Sequence, residues 1–109
     1  MRVPDRGDLI YLRFSPQMGH EQAGRRPALV LSPKIFNQPS HFAIVCPITS
    51  KSKGYPFELP VPEGLPVYGT VLVDQVKSLD WKSRGARVIG KAPDEFVLEC
   101  LGYLNRILS

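Results

Sequence analysis

One short glycine-bracketed segment, residues 19–27, brings together a histidine, a carboxylate and two guanidinium groups: His20, Glu21, Arg25 and Arg26. An imidazole beside a carboxylate can move protons near neutral pH, and a guanidinium can stabilise charge on a phosphate. Cleavage of a phosphodiester requires both abilities. A solvated polar hairpin loop is the alternative interpretation of the same residues. The segment is therefore a candidate for acid/base chemistry at a positively charged site.

Two further segments interleave cations with aromatic rings, a composition that suits single-stranded nucleic acid because cations hold phosphates and rings stack on bases. Residues 50–56 carry Lys51, Lys53 and Tyr55, and residues 77–87 carry Lys77, Lys82, Arg84 and Arg87 around Trp81. Taken alone, each segment is better explained as a solvated loop with one anchoring aromatic. Their presence beside the His20–Glu21 segment in so short a chain favours binding.

The residue spacing does not support a metal site, a glycine-rich nucleotide-binding loop or a serine-nucleophile motif. His20 and His41 do not have metal-ligand spacing with each other or with the cysteines, and the His-Glu pair is not an HExxH motif. The sequence contains no GxxxxGK[ST], GxGxxG or GxSxG motif. No metal ion or other cofactor is therefore expected.

Bulk properties indicate one globular domain spanning residues 1–109, since 43% of the residues are hydrophobic and 22% are charged. The net charge of +4 is compatible with a nucleic acid or an acidic protein as partner. There is neither an apolar run near membrane-spanning length nor the apolar core of a signal peptide, so we expect a cytoplasmic protein. The apolar settings of Cys46 and Cys100 predict buried free thiols.

The elements that must position these residues are mostly short strands, rich in aliphatic and aromatic residues and bounded by Gly, Pro, Asn or Ser. They are predicted at residues 9–14, 28–31, 42–45, 57–61 and 70–76, with a shorter one at 86–89. Residues 15–26, 50–56 and 77–87 are predicted as loops. The connections are too short for parallel crossovers, so the sheet should be mostly antiparallel.

A single long helix is predicted at the C-terminus. Pro93 suits a first helical position, and Asp94 and Glu95 suit the positive end of the helix dipole. Apolar residues then recur at helical spacing at Val97, Cys100, Leu101, Leu104 and Leu108. This stripe indicates packing against the sheet. The expected fold is a small, strongly bent antiparallel sheet or barrel that is closed by the terminal helix.

Five motifs in order resemble the MazF/PemK (Kid-like) toxins, the mRNA interferases of bacterial toxin–antitoxin pairs. They are RGDLIYLRFSP, GHEQAGRRPALVLSP with Phe36-Asn37 after it, CPITSKSKGYPFE, VLVDQVKSLDW and Arg84-Gly85-Ala86. The resemblance runs nearly end to end and is greatest to the MazF branch, through SKGYPFE and DQVKS. It implies a mostly β (α+β) fold, the SH3-like, strongly twisted antiparallel barrel of the CcdB/MazF type with a C-terminal helix.

The resemblance also implies a function. Such toxins are homodimeric, sequence-specific and ribosome-independent endoribonucleases. They cleave single-stranded mRNA without a metal ion, leave 2′,3′-cyclic phosphate and 5′-hydroxyl ends, and are neutralised by an acidic antitoxin of the MazE/PemI type that covers the RNA groove.

Site residues follow from the same motifs. The family's arginine falls on Arg26, its threonine on Thr49, and the acid/base pair on His20 and Glu21. The aspartate that acts as base in the Kid branch matches Asp74, but Leu72 occupies the position of its arginine partner. The RNA-binding surface is predicted to comprise Lys51, Lys53, Tyr55, Phe57, Gln75, Lys77, Trp81, Lys82 and Arg84.

Roles follow from the chemistry of RNA, whose 2′-hydroxyl can attack the adjacent phosphorus. Arg26 is the expected charge stabiliser, and Thr49 is expected to donate a hydrogen bond to a phosphate oxygen. Glu21 is favoured as general base, with His20 as an alternative acid or base. A strand-end turn bond is the structural alternative for Thr49, and an ion-pair or turn partner is the alternative for Asp74.

Two other classes of function compete with the endoribonuclease. One is a non-catalytic poison of the CcdB type, with the same fold but acting by binding a topoisomerase. The other is a plain SH3-like interaction module. The combination of GHEQ, GRRP and PIT motifs favours the enzyme, because neither binding role requires these acid/base groups.

Overall fold

The computed structural model describes residues 2–14 and 24–109, so His20 and Glu21 lie outside the described residues. Within this part of the chain the elements follow in the order β1 (Asp8–Arg13), β2 (Arg25–Val30), α1 (Lys34–Ser40), β3 (Phe42–Thr49), β4 (Glu58–Pro60), β5 (Thr70–Leu72), β6 (Lys77–Asp80), β7 (Arg87–Lys91) and α2 (Asp94–Leu108). A 3₁₀ turn, Val73–Gln75, connects β5 to β6. No helix among the described residues is long and apolar enough to cross a membrane.

The strands form one sheet in the order β4-β5-β3-β2-β1-β7, and the pairings between them are antiparallel. Strand β3 is the centre of this arrangement. One of its edges pairs with β2, and its other edge is shared between β6, at residues 42–45, and β5, at residues 48–49. Because one long strand serves two different partners in succession, the sheet bends along β3, which agrees with the bent antiparallel sheet predicted above.

Both faces of the central strands are buried, since neighbouring residues of a strand point to opposite sides. Leu9, Leu29 and Cys46 belong to a core that includes α2. Ile10 and Val30, from the same strands, belong to a second core that also contains Trp81. A sheet that is covered on both sides holds the ends of its strands rigidly, and these ends carry the site.

Helix α2 confirms the predicted terminal helix. It begins at Asp94, with Pro93 immediately before it, and its residues Phe96, Val97 and Cys100 are buried. Leu101 and Leu104 pack against the same core. The expectation for Leu108 was wrong, because this side chain is 75% exposed at the last turn of the helix.

Three local assignments differ from the sequence-based expectation. The run at residues 70–76 is not one strand, because β5 ends at Leu72 and the 3₁₀ turn follows. Residues 77–80 form β6 where a loop was expected, since they hydrogen-bond to the free edge of β3. Arg25 and Arg26 lie at the beginning of β2 and not in the preceding loop.

Helix α1 was not anticipated, because its sequence contains Pro39 and lacks a side-chain cap. One contact with a distant residue and two with a nearby one stabilise it. The buried Asn37 amide donates to the carbonyl oxygens of Pro4 and Ser32, both at 2.9 Å, and its Oδ1 accepts from the Ser32 hydroxyl at 2.6 Å. Such a network gives a short helix the stability that its own propensity does not supply.

The two cysteines are buried and free, as expected. Burial raises the pKa of Cys46 far above its ordinary value, and burial together with Glu99 raises the pKa of Cys100 to about 12. Both thiols therefore stay protonated at neutral pH and act as core residues.

Candidate active site

A cleft of about 580 Å³ opens where β2, β3, β5 and the 3₁₀ turn meet the loop that precedes β4. It brings together seven residues that the sequence predicted for the site: Arg26, Thr49, Lys51, Lys53, Tyr55, Asp74 and Gln75. Ser50, Glu58 and Leu72 complete its lining. The strands hold their side chains in place, whereas the loop supplies two cations and an exposed ring.

The pairing of β2 with β3 explains why Arg26 and Thr49 share this cleft. The two strands are antiparallel, and Ala28 lies opposite Pro47. Continuing that register by two residues brings Arg26 to the level of Thr49. The guanidinium is thereby carried on a strand, and a strand holds its side chains more precisely than a loop does.

Thr49 ends β3 in a buried position, with 6% of its surface exposed. Its Oγ1 accepts a hydrogen bond from the backbone N–H of Lys51 at 3.2 Å, so the strand-end turn bond considered above is present. The hydroxyl proton can still be donated. Gly69 passes beneath this residue, and a Cβ built there would lie 2.1 Å from the Thr49 carbonyl oxygen, so only glycine fits.

The 3₁₀ turn brings Asp74 and Gln75 to the cleft. Val73 is buried and its N–H donates to the carbonyl oxygen of Phe57 at 3.1 Å, which anchors the turn. Asp74 follows as an exposed residue that lines the cleft. Leu72, at the position of the Kid-branch arginine, is a buried apolar residue of the lining. Asp74 therefore has no cation at that position.

The cleft lining is rich in charge of both signs. Arg26, Lys51 and Lys53 supply three cations, and Glu58 and Asp74 supply two carboxylates. Arg26 is half-buried, whereas both lysines are exposed. Partial burial strengthens the interaction of a guanidinium with a phosphate, and exposed lysines attract the phosphate backbone over longer distances. This arrangement can bind a phosphodiester and stabilise charge on it.

Sequence reasoning missed Glu58, although its carboxylate lines the cleft and holds the neighbouring loop. One feature of the sequence could have identified Glu58. It follows shortly after the turn Ser52-Lys53-Gly54, where consecutive backbone N–H groups need a hydrogen-bond acceptor. Ser50 was missed as well, and it had no signal beyond its position next to Thr49.

Five of the predicted RNA-binding residues lie outside this cleft: Phe57, Lys77, Trp81, Lys82 and Arg84. Phe57 is half-buried against the core and packs edge-on to Tyr103, with 6.4 Å between the ring centroids, so it has a packing role, and its contact with RNA stays a prediction. Lys77 lies on β6 opposite Val45. Lys82 is exposed in the turn before β7, where Arg84 donates to the carbonyl oxygen of Arg13 at 3.1 Å.

Trp81 is a further correction. Only 3% of its surface is exposed, and it lies in the core that contains Ile10 and Val30. Its indole N–H donates to the backbone carbonyl oxygen of Asn37 at 2.9 Å. A ring that is buried and hydrogen-bonded in this way cannot stack on a base, so its role is to join the turn before β7 to α1.

We expect Trp81→Phe to lower the free energy of unfolding by about 1–3 kcal/mol, because it removes a buried hydrogen bond and part of a packed ring. Affinity for single-stranded RNA should stay unchanged. Tyr55→Ala is the opposite control, since Tyr55 is 57% exposed and lines the cleft. It should weaken RNA binding at unchanged stability. Denaturant unfolding and an RNA titration measure both. Weaker RNA binding by a fully stable Trp81→Phe protein would contradict the core assignment.

Arg25 points away from the Arg26 cleft, as neighbours on one strand do. Its guanidinium lies over the ring of Tyr11, 5.5 Å from the centroid, and donates to the carbonyl oxygen of Gly85 at 3.4 Å. Together with Arg2 and Arg87 it lines a separate concavity. The two adjacent arginines therefore belong to different surfaces.

The described residues contain no group of three or more His, Cys, Asp or Glu side chains that could hold a metal ion. The candidate proton carriers His20 and Glu21 lie outside the described part of the chain. Arg26, Thr49 and Asp74 are thus the three predicted catalytic residues that the structure assigns to one cleft.

Comparison with known proteins gives concordant matches. The family model of PemK-like, MazF-like toxins of type II toxin–antitoxin systems matches residues 5–108. The endoribonuclease toxin MazF of Escherichia coli K12 is 50% identical over 97 residues, which cover 88% of this chain and 86% of that protein. The crystal structure of MazF from Deinococcus radiodurans superposes with a TM-score of 0.95 at 50% identity, covering 99% of this chain and 98% of that chain.

A structure of MazE–MazF from Deinococcus radiodurans also matches, with a TM-score of 0.88 at 48% identity, covering 98% of this chain and 97% of that chain. The fold is thus of the CcdB/MazF type, as the sequence resemblance implied. The chain belongs to the family of PemK-like, MazF-like toxins of type II toxin–antitoxin systems.

Proposed function

We propose that this chain, an endoribonuclease toxin by its family, cleaves single-stranded mRNA at short specific sequences, independently of the ribosome and without a metal ion. The products would be a 2′,3′-cyclic phosphate and a 5′-hydroxyl. One observation carries this proposal: Arg26, Thr49 and the lysines of the loop before β4 line a single cleft. The whole chain, residues 1–109, acts as one toxin domain.

In this mechanism the RNA supplies its own nucleophile. The 2′-hydroxyl attacks the adjacent phosphorus and the 5′-oxygen leaves, so negative charge builds up on the phosphate oxygens. Arg26 stabilises that charge, because a guanidinium stays protonated and can donate two parallel hydrogen bonds to a phosphate. Thr49 donates its hydroxyl proton to a phosphate oxygen. These fixed donors do the work that a metal ion performs in other nucleases.

Proton transfer requires a base for the 2′-hydroxyl and an acid for the leaving oxygen. Glu21 is the favoured base, and His20 is the alternative acid or base because its ordinary pKa lies near neutrality. Asp74 is a third candidate, since it is exposed and lines the cleft. Single replacements of the three residues, compared by the pH dependence of cleavage, distinguish their roles.

RNA binding is assigned chiefly to Lys51, Lys53, Tyr55 and Gln75, which line the cleft beside Arg26. The exposed ring of Tyr55 offers a face for base stacking, worth about 1–3 kcal/mol per base. Lys77, Lys82 and Arg84 lie outside the cleft and would act on the strand through their charge alone. An mRNA substrate also requires that the enzyme work in the cytoplasm, and we place it there.

The test is incubation of the purified protein with a long RNA in EDTA, followed by mapping of the new 5′-ends and analysis of their chemistry. We expect discrete sites with 5′-hydroxyl and 2′,3′-cyclic phosphate ends. A strict requirement for Mg²⁺, or 5′-phosphate products, would refute the mechanism. Intact RNA with a protein that is folded by circular dichroism would refute the activity itself.

We further propose that the toxin is a homodimer whose RNA cleft is also the site of an acidic antitoxin of the MazE/PemI type. Exposed lysines and Tyr55 in the cleft suit an anionic segment with apolar anchors as well as they suit RNA. The MazE–MazF structure named above supports such a partner. Exposed apolar side chains at Ile35, Phe36 and Phe42 provide surface that a second copy could bury.

The expected result is mutual displacement in a titration of the toxin with a non-cleavable RNA and the acidic antitoxin. RNA affinity should also fall as salt rises, because phosphate contacts release counterions. The solution mass should be that of a dimer. Saturable binding of both partners at every site would contradict the shared cleft, and a fully active monomer would contradict the dimer.

A further inference from the structure

Glu58, the first residue of β4, makes an unusual set of contacts for a surface carboxylate. Its Oε1 accepts a hydrogen bond from the Ser52 hydroxyl at 2.7 Å and one from the Gly54 backbone N–H at 3.2 Å. The backbone N–H of Lys53 donates to both carboxylate oxygens at 3.2 Å. Three successive residues of one loop thus converge on a single side chain.

The loop in question, residues 50–57, is the one that carries Lys51, Lys53 and Tyr55 to the cleft; we call it the basic loop. Two further hydrogen bonds hold this loop, one near each of its ends. The Lys51 N–H donates to Thr49 Oγ1, and the Glu58 N–H donates to the Tyr55 carbonyl oxygen at 3.1 Å. The turn between these ends, where Gly54 has a φ of 72°, is held by the Glu58 carboxylate.

A carboxylate in the lining of a phosphate-binding cleft needs a physical reason, because it repels the ligand. Desolvation raises the pKa of Glu58, but hydrogen bonds from Ser52 and from the Lys53, Gly54 and Tyr55 backbone outweigh it, so the pKa lies below its ordinary value. A carboxylate with such a pKa is a weak base, and its lone pairs already have donors. These properties argue against proton transfer by Glu58.

We propose that Glu58 is a positioning residue, whose carboxylate holds residues 52–54 in the conformation that presents Lys51, Lys53 and Tyr55 to the RNA strand. This inference rests on the proposed function of the same cleft. A loop that is already ordered loses less conformational entropy when RNA binds, so the contribution of Glu58 should appear in affinity.

The test compares Glu58→Ala, Glu58→Gln and the wild-type protein. Glu63→Gln is the matched control, because Glu63 is an exposed carboxylate of the next loop. In the absence of RNA, amide hydrogen exchange is measured at Lys53 and Gly54, whose N–H groups donate to Glu58. We expect faster exchange at both amides in Glu58→Ala and an intermediate rate in Glu58→Gln, which keeps one acceptor oxygen. Glu63→Gln should match the wild type.

With RNA, Glu58→Ala should raise KM on the order of ten-fold and leave kcat within about three-fold, as a loss of preorganisation requires. Glu58→Gln should recover part of the affinity. Unchanged exchange at Lys53 and Gly54 would overturn the inference, as would a large loss of kcat at unchanged KM, which would make Glu58 catalytic. Because the exchange measurement uses no RNA, it still decides the role of Glu58 in the loop if the wild-type protein fails to cut RNA.

Discussion

An RNA oligonucleotide with a single deoxyribose on the 5′ side of the scissile phosphate should resist cleavage in EDTA, while the all-ribose oligonucleotide is cut. The expected loss of rate at that bond is on the order of 10⁵-fold or more, because an attached nucleophile is equivalent to an effective concentration of 10⁵–10⁸ M. Denaturing gel analysis of end-labelled strands measures this loss directly.

Two controls make the result specific. A deoxyribose two nucleotides away from the scissile bond should leave cleavage nearly unchanged, because that sugar takes no part in the chemistry. Binding of the deoxy-substituted strand should match that of the all-ribose strand, which shows that recognition is intact. Cutting of the substituted bond at a normal rate would mean that water or a protein group is the nucleophile.

Arg26→Ala should reduce the cleavage rate on the order of 10²–10³-fold or more, while the protein remains folded. The half-buried guanidinium lines the cleft at the level of Thr49, where it can reach the phosphate oxygens that gain charge. Loss of one preorganised donor at such an oxygen costs about 10²–10³ in rate. Arg26→Lys should restore only part of the rate, because an ammonium group cannot form the same paired hydrogen bonds.

Arg25→Ala is the matched control, since it removes the same charge from the adjacent residue of β2. Arg25 lies over Tyr11 and lines the other concavity, so its loss should have much the smaller effect on the rate. Single-turnover cleavage at saturating RNA, together with thermal unfolding, separates catalysis from binding and stability. If Arg25→Ala is the more damaging variant, the catalytic arginine has been assigned to the wrong residue.

Much of this protein could be predicted from local sequence patterns. Short aliphatic runs between Gly and Pro residues indicated six of the strands, and the apolar spacing from Val97 to Leu104 indicated α2. Such patterns succeed because a strand or helix that buries one side must carry apolar residues at the spacing of that side. The motifs around Arg26, Thr49 and Asp74 likewise named residues that line one cleft.

Other features depended on contacts between distant segments. Residues 77–80 form β6 because β3 has a free edge beside them, and α1 is stabilised because Asn37 finds Pro4 as a partner. Neither partner is visible in the local sequence. Trp81 was assigned to the RNA surface because basic residues surround it, yet its ring packs into a core.

The contrast between Tyr55 and Trp81 shows why the local sequence does not separate a surface aromatic residue from a core one. Both are aromatic residues with two lysines close by in the sequence, so composition treats them alike. Exposure separates them, with 57% for Tyr55 and 3% for Trp81, and exposure depends on what the rest of the chain packs against each ring. The sequence alone therefore determined the family, six of the strands and the chemical groups available. The packing of distant segments determined which of those groups line the cleft and which stabilise the core.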